Sequence, residues 1–241
     1  MSIMSQDEYR DLYKKLNKKW NDSVSIFKEI LEQNITEDTT ILDAGCGFSN
    51  MLTSEYNKAK RVIGVDVSEE FLSKNPILNE KIVANLESIP QVKSNSIDLI
   101  ISSWVFEHLE RPKKVFLEFS RVLRKGGKIV FITPNVWNYV VILNRIIPEK
   151  LRLKVVKKMN KKLVTDPMPT FYRANSKRVI EKLTETYGLK LEKLILNGDP
   201  TYVAINRLFF WIGVFIEAFL SLPFFSRTRV HLIGVLKKNS T

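Results

Sequence analysis

Short apolar runs rich in β-branched residues alternate with helical patterns over the middle of the chain. The runs lie at residues 39–45, 61–67, 80–86, 96–103 and 127–134. The clearest helical pattern between them covers residues 111–127, where Pro112 suits a first turn and Gly126 and Gly127 are expected to end the helix. Strands that alternate with helices predict βαβ units around a parallel sheet covered on both faces.

The pattern also predicts elements on either side of this alternation. Two helices are expected at about 5–20 and 22–34, a later helix at about 174–187, and two closing strands at 188–196 and 229–238. We therefore predict a single α/β domain with a doubly wound, mostly parallel seven-stranded sheet and a helical cap. Its predicted parts are N-terminal helices at 1–37, a cofactor-binding core at 38–136, a basic amphipathic insertion at 137–173, and closing strands at 174–241 that include an apolar helix insertion at about 203–226.

Glycines and carboxylates follow the first two predicted strands. Asp43 ends the first strand, and Gly45 and Gly47 come next, where they allow a sharp turn and close approach to a ligand. Asn50 stands where a dinucleotide-binding fingerprint has its third glycine, and Asp43 suits an ammonium group better than a pyrophosphate. Asp66 ends the second strand, where a carboxylate can accept hydrogen bonds from both ribose hydroxyls. These residues predict a nucleoside ligand that carries an amino-acid cation and no phosphate, which describes S-adenosylmethionine.

Five stretches resemble, in order and spacing, the class I S-adenosylmethionine-dependent methyltransferases. They are ILDAGCGFSN, VIGVDVS, ANLESIP, SIDLIISSWVFEHL and FSRVLRKGGKIVFITPN. The likeness is greatest to small-molecule enzymes with a Glu-His pair after the fourth strand, and it covers about residues 38–136. The resemblance implies a Rossmann-like fold, methyltransferase activity and S-adenosylmethionine as the cofactor.

The resemblance also implies roles for single residues. Gly45 and Gly47 would line the methionine and ribose portion, Asp43 would lie near the amino group, Asp66 would hold the ribose hydroxyls, and Val67 would pack on the adenine. The position of Asn85 usually carries an Asp that contacts the adenine amino group, and the Asn85 carbonyl can accept there. The predicted cofactor-binding residues are Asp43, Ala44, Gly45, Gly47, Asp66, Val67, Asn85, Leu86, Ser102 and Ser103.

The Glu-His pair suggests a base for the reaction. Methyl transfer from a sulfonium is an in-line displacement, so alignment supplies much of the catalysis, and a hydroxyl acceptor also benefits from a base. His108 is one of two histidines and its ordinary pKa suits that task, so we predict His108 and Glu107 as catalytic residues. The alternative is that both only cap or orient the next helix. No metal is predicted, because two ligands do not make a site.

The residues after the fourth strand also bear on the acceptor. No NPPY-type sequence, which grips planar amides and amines in related enzymes, follows that strand, so oxygen is the predicted acceptor atom. Nitrogen and carbon are the alternatives, because other methyltransferases that act on those atoms also lack the motif. Trp104 would lie beside the sulfonium and the substrate, or else belong to the core. Tyr172, Arg173 and Tyr202 are further predicted substrate residues, because they flank the predicted cap.

Charge and hydropathy in the second half suggest a membrane surface. The chain has 38 basic and 26 acidic residues, and Arg145–Lys162 alone holds eight Lys or Arg and one Glu. Apolar residues recur there every four positions, at Ile147, Leu151, Val155, Met159 and Leu163. Residues 208–226 contain a single charge, Glu217, yet a strand must follow them in the same sheet, so a crossing of the bilayer is disfavoured. We predict an anionic membrane surface as a partner, with a dimer or core-packing element and nucleic-acid binding as alternatives.

The predicted function is S-adenosylmethionine-dependent O-methylation of a hydrophobic or lipid-linked small molecule, such as a quinone-type lipid or a polyprenyl-linked sugar, at a membrane surface. An RNA methyltransferase and a non-catalytic cofactor-binding, membrane-associated protein are the alternatives. The single cysteine, Cys46, and a polar N-terminus predict a cytoplasmic protein, peripheral on the inner face of a membrane. The acceptor and the oligomeric state stay open.

Overall fold

A computed structural model describes residues 4–48, 51–146, 168–222 and 224–240, with the backbone alone at 143–146. Within these residues, seven strands form one mixed sheet in the order β3-β2-β1-β4-β5-β7-β6, with helices beside it. The strands are β1 (Thr40–Ala44), β2 (Arg61–Asp66), β3 (Glu80–Val83), β4 (Ile97–Ser103), β5 (Leu123–Pro134), β6 (Leu189–Asn197) and β7 (His231–Lys238). The predicted doubly wound α/β fold is confirmed.

The helices of the described residues follow the predicted pattern. They are α1 (Gln6–Leu16), α2 (Ser23–Glu32), α3 (Thr53–Tyr56), α4 (Glu69–Lys74), α5 (Pro112–Val122), α6 (Tyr139–Ile146), α7 (Lys177–Thr186) and α8 (Arg207–Leu220), with 3₁₀ turns at Phe106–His108, Pro200–Val203 and Ser226–Thr228. None of them is both long and apolar enough to cross a bilayer. The sequence also predicts that a helix begins near Ser49, just after the glycines. Ser49 and the apolar stripe of the basic insertion lie outside the described residues; the stripe comprises Ile147, Leu151, Val155, Met159 and Leu163.

The end of α5 differs from the prediction. Pro112 occupies the first turn as expected, but the helix ends at Val122 rather than at the paired glycines. Ile97 of β4 pairs with Leu123, whereas Leu99 pairs with Lys128, so β5 carries extra residues opposite this part of β4. Gly126, at a φ of 75°, lies in that irregular part of β5. The paired glycines therefore serve a strand irregularity and do not stop the helix.

The sheet reverses its strand order between β1 and β4. The pairs β2–β3, β1–β2, β1–β4 and β4–β5 are all parallel, and β1 lies between β2 and β4. Ile41, Leu99 and Val130 are buried in one core cluster together with Phe27 and Leu31 of α2. This core fixes the sheet, and the loops that follow β1 and β4 meet at the topological switch point where ligands bind in such sheets.

The chain forms two compact units. Val24–Thr133, Thr170–Ile195 and Leu232–Thr241 form the sheet unit, and Met1–Ser23, Pro134–Pro169 and Leu196–His231 form the helical unit. The helical unit has an aromatic core of its own, built from Tyr9, Tyr13, Trp20 and Phe210. The sheet unit carries the strand ends at which the candidate site was predicted.

Candidate functional site

The loop after β1 is built on glycines that a side chain would disturb. Gly45 has a φ of 74° and Gly47 a φ of 51°, both in the left-handed region. The Gly45 N–H donates to the carbonyl of Val65 at 2.7 Å, and the Gly47 N–H donates to the carboxylate of Asp66 at 2.9 Å. The loop after β1 is therefore tied to the end of β2.

The same loop touches the loop after β4. A Cβ added to Gly45 would lie 2.6 Å from Cγ2 of Val105. No larger residue fits there without moving Val105. The absence of a side chain at Gly45 thus lets the two strand-end loops meet at the switch point.

The end of β2 offers a carboxylate beside an apolar surface. Asp66 is half-buried and also accepts from the Ser68 N–H at 2.9 Å, so two backbone donors hold its carboxylate in place. Val67 is exposed next to it, whereas Ala44 at the end of β1 is buried. A fixed carboxylate and an exposed aliphatic side chain are the features that the predicted ribose and adenine contacts require.

Asn85 lies in the turn that follows β3. Its side-chain oxygen accepts from the Glu87 N–H at 2.9 Å, which is a local turn of the Asx type. A carbonyl oxygen has two lone pairs, so the turn is compatible with a second hydrogen bond from an adenine amino group. Asn85 is exposed and Leu86 is buried.

Asp43 is a buried acid directly before the glycine loop. Burial, together with the nearby negative charge of Asp66, raises the pKa of Asp43 to about 7. A carboxylate in such surroundings is stabilised by a cation. The ammonium group of the predicted cofactor supplies one.

This pKa predicts how cofactor binding depends on pH. An ammonium group favours the ionised form and so lowers the pKa of Asp43 in the complex. Binding of S-adenosylhomocysteine should then release a proton below pH 7, and the affinity should rise with pH, by up to about tenfold per unit, until it levels off above pH 7. Calorimetry in buffers with different ionisation heats measures the released protons. Asp43→Asn should bind more weakly and lose this pH dependence, and the same dependence in that variant would contradict the assignment.

The end of β4 holds two serines and a tryptophan. Ser102 is fully buried, and its hydroxyl has no hydrogen-bond partner among the described residues, whereas Ser103 is partly exposed. Trp104 adopts a φ of 59°, which is unusual for a bulky residue, and its N–H donates to the Ile132 carbonyl at 2.9 Å. It is partly exposed and packs against the core. Residues in this backbone region cluster at functional sites.

The Glu-His pair forms a 3₁₀ turn directly after this loop. Glu107 is buried, and its carboxylate accepts from the Thr133 hydroxyl at 2.9 Å, which in turn accepts from the Asn175 amide at 2.6 Å. Burial raises the pKa of Glu107, and a backbone hydrogen bond together with the Thr133 hydroxyl partly opposes this. His108 is partly exposed. This geometry holds Glu107 inside the protein and leaves His108 as the more accessible member of the pair.

The segment before α7 is attached to this turn. The N–H groups of Phe171 and Tyr172 donate to the Glu107 carbonyl at 2.7 and 3.1 Å. Arg173 donates to the Glu110 carbonyl at 2.7 Å, and its guanidinium lies over the Phe171 ring. The structure therefore brings Tyr172 and Arg173 beside the Glu-His turn. Tyr202 belongs to the helical unit, where its ring lies edge-on to His231.

Sequence reasoning missed Thr133, Phe171 and Asn175. Thr133 comes at the carboxyl end of β5, so the strand-end rule that identified Asp43 and Asp66 could have found it. Asn175 carries no such signal, because 42 residues separate it from Thr133 along the chain. Within the described residues, no three His, Cys, Asp or Glu side chains come together to hold a metal ion.

The residues of the sheet unit fit S-adenosylmethionine. The glycines leave the backbone of the loop bare, Asp43 is a buried acid that would suit the ammonium group, and Asp66 is an anchored acceptor that would suit the ribose. These features occur on adjacent strands at the switch point of one sheet.

Comparisons with known proteins agree with this fit. Residues 42–131 match the family model described as "Methyltransferase domain". An uncharacterized protein of Methanocaldococcus jannaschii is 31% identical over 137 residues, which are 56% of this chain and 52% of that protein. A malonyl-[acyl-carrier protein] O-methyltransferase of Hamiltonella defensa is 34% identical over 96 residues, which are 39% of this chain and 37% of that protein. The chain thus spans about half, or less, of these relatives.

A solved structure shows the same fold over most of the chain. Geranyl diphosphate C-methyltransferase of Streptomyces coelicolor, in complex with S-adenosyl-L-homocysteine, superimposes with a TM-score of 0.58 at 16% identity and covers 89% of this chain and 76% of that one. This likeness shows the fold, and the matched domain lies within the part of the chain that carries the strand ends described above. Residues 42–131 are therefore similar to the methyltransferase domain, and the fold around them is the one that S-adenosylmethionine-dependent methyltransferases share.

Proposed function

We propose that this methyltransferase transfers the methyl group of S-adenosylmethionine to an oxygen of a hydrophobic or lipid-linked small molecule at a membrane surface. A quinone-type lipid and a polyprenyl-linked sugar have this chemistry. The observation that carries the proposal is the set of aromatic residues around the Glu-His turn. Trp104 precedes the turn, and the backbone of Phe171 and Tyr172 is bonded to Glu107, while all three side chains are partly exposed. Such surroundings favour an apolar acceptor.

The bound cofactor supplies an electrophilic methyl group with a neutral leaving group. Asp66 would hold the ribose and Asp43 the ammonium group of the cofactor, and the glycine loop would let the cofactor approach the backbone. His108 takes the proton of the acceptor hydroxyl as the oxygen attacks, and Glu107 holds the turn that carries His108. Alignment of the acceptor oxygen with the methyl group supplies the rest of the rate enhancement.

Two of the similar proteins are consistent with this acceptor class. The Hamiltonella relative is named an O-methyltransferase, and the Streptomyces neighbour is named for a geranyl substrate, so this fold accommodates an isoprenoid acceptor in that protein. The likeness to the Hamiltonella protein covers 39% of this chain, and the likeness to the Streptomyces protein has an identity of 16%. The acceptor is therefore inferred from the residues around His108.

Methyl transfer to matched amphiphiles tests the proposal. With S-adenosylmethionine labelled in its methyl group, the purified chain should label a long-chain alkylphenol in detergent micelles far faster than the alkylaniline with the same chain, and faster than phenol itself. Preference for the aniline would overturn the oxygen assignment. Equal rates with phenol and alkylphenol would overturn the hydrophobic acceptor, and labelling of transfer RNA instead of either would overturn both.

A further inference from the structure

Helix α8 turns its one acidic residue inward and most of its large apolar residues outward. Gly213 and Glu217 lie on the buried side together with Phe210 and Leu220. A surface helix ordinarily has the opposite arrangement, with an apolar face on the protein and charged residues in water. The inversion requires an explanation.

The buried side of α8 is held by specific contacts within the helical unit. Phe210 stacks on Tyr9 with ring centroids 5.1 Å apart. A Cβ at Gly213 would overlap the carbonyl oxygen of Pro200, so the helix backbone lies directly on that 3₁₀ turn. Glu217 faces Arg229 at 3.7 Å and lies against Gly198. These contacts fix the rotation of the helix about its axis, so its outward face cannot turn inward without breaking them.

The outward face is a continuous apolar stripe. Leu208 is 67% exposed, Trp211 46% and Phe215 76%, at the spacing of one helix face. The other exposed apolar residues of this stripe and its continuation are Phe209, Ile212, Phe219, Leu222 and Phe224. Between Leu208 and Leu220 the outward side chains carry neither a charge nor a hydroxyl group. An exposed patch of several hundred Å² with this composition marks an interaction surface.

Charge at the two ends of the stripe decides what covers it. Arg207 begins the helix and Arg227 follows it, both are exposed, and the chain as a whole carries a net charge of +12. A second copy docked on this stripe would bring further arginines to an interface in which α8 offers no outward acid to pair with them. Protein interfaces also contain about ten hydrogen bonds, for which this stripe offers few groups. The phosphates of an anionic lipid surface complement both arginines.

The position of α8 in the chain sets how it can meet a bilayer. The strands before and after it, β6 and β7, are neighbours in the same sheet, so both ends of the helix must stay on one side. Its 14 residues are about 21 Å long, which is shorter than the hydrocarbon core of about 30 Å. The helix can therefore lie in the interface but cannot cross it.

We propose that the outward face of α8 inserts into the headgroup region of an anionic bilayer, with Arg207 and Arg227 on lipid phosphates. This inference rests on the proposed function, which places the methyl transfer at a membrane surface. The outward face of α8 would be the surface of the protein that meets that membrane. Insertion of Trp211 and Phe215 supplies most of the binding, and the arginines supply the preference for anionic lipid.

Vesicle co-sedimentation of the full chain tests the docking surface. The probes are vesicles of phosphatidylcholine alone and of phosphatidylcholine mixed equally with phosphatidylglycerol. The wild type should pellet with the mixed vesicles. Trp211→Gln with Phe215→Gln should lower that binding at least about tenfold, and Arg207→Gln with Arg227→Gln should lower it by about fivefold for each arginine.

A matched pair of substitutions controls for the loss of exposed apolar area. Leu16 in α1 and Leu117 in α5 are 54% and 58% exposed, so Leu16→Gln with Leu117→Gln removes exposed apolar side chains that do not belong to α8. That variant should bind mixed vesicles like the wild type. The proposal would be overturned if the Leu16/Leu117 variant lost as much vesicle binding as the Trp211/Phe215 variant. It would also be overturned if the wild type stayed in the supernatant. A wild-type dimer that Trp211→Gln with Phe215→Gln converts to a monomer, without vesicle binding, would assign the stripe to a second copy and also overturn it.

The outcome is separable from that of the proposed function. Vesicle binding requires neither cofactor nor acceptor, whereas labelling of the alkylphenol in micelles requires no bilayer. Labelling without vesicle binding would remove only the docking surface. Vesicle binding without labelling would keep the docking surface and remove the proposed reaction.

Discussion

Replacing Gly45 by alanine should lower the affinity for S-adenosylhomocysteine about a hundredfold. A side chain at a φ of 74° costs about 1–2 kcal/mol, because only glycine adopts that region freely. The new Cβ would also lie 2.6 Å from Val105, and such overpacking costs about 1–3 kcal/mol. The loop can relieve both only by moving away from the position in which it lines the cofactor. Calorimetric titration of the purified variant measures the loss.

Gly126 provides a control with the same backbone conformation. Its φ is 75°, yet an added Cβ would meet no atom within 4 Å, and it lies in the irregular part of β5. Gly126→Ala should therefore lose about 1–2 kcal/mol of folding free energy and bind S-adenosylhomocysteine like the wild type. If Gly45→Ala binds as tightly as Gly126→Ala does, the glycine loop does not line the cofactor and the site assignment fails.

The sheet and the grouping of its strand-end residues were predictable because their signals are local. Each buried strand is a short β-branched run, and parallel strands bring their carboxyl ends to one edge whatever the loops contain. Asp43, Gly45 and Asp66 could therefore be placed together from their positions at strand ends alone. The structure adds how they are held, through the hydrogen bond from Gly47 to Asp66 and the contact of Gly45 with Val105.

The features that were not predictable depend on pairs of residues far apart in the chain. The pairing of Leu123 with Ile97 draws the chain into β5 before it reaches the paired glycines, so the predicted end of α5 was wrong. The burial of Glu107 depends on Thr133 and Asn175. The periodic pattern of apolar and polar residues does not indicate which distant residues will become partners.

The orientation of α8 shows the same limit. Gly213 and Glu217 are four positions apart and so lie on one face of the helix, but the sequence does not say whether that face meets water or protein. Burial raises the pKa of Glu217 to about 7, as expected for an acid that faces the inside of the unit. Only the contacts with Pro200, Gly198 and Arg229 show that this face of α8 points into the helical unit.

Removing the imidazole of His108 should lower kcat for the alkylphenol by about 10²- to 10⁴-fold, the range for a positioned general base. Because His108 follows β4 and no cofactor contact is assigned to it, the affinity of His108→Ala for S-adenosylhomocysteine should stay within about threefold of the wild type. Radiometric methyl transfer and calorimetry measure the two quantities.

A structural role for His108 predicts a different pattern. If the imidazole only orients the turn, Glu107→Gln and His108→Ala should lower kcat to a similar degree, and added imidazole should restore neither. If His108 is the base, free imidazole should restore part of the activity of His108→Ala, because it can take the proton of the acceptor at the vacated place. Glu107→Gln should then be milder, since a glutamine can still accept from Thr133. Activity of His108→Ala within threefold of the wild type would remove the base from the mechanism and leave alignment as the source of catalysis.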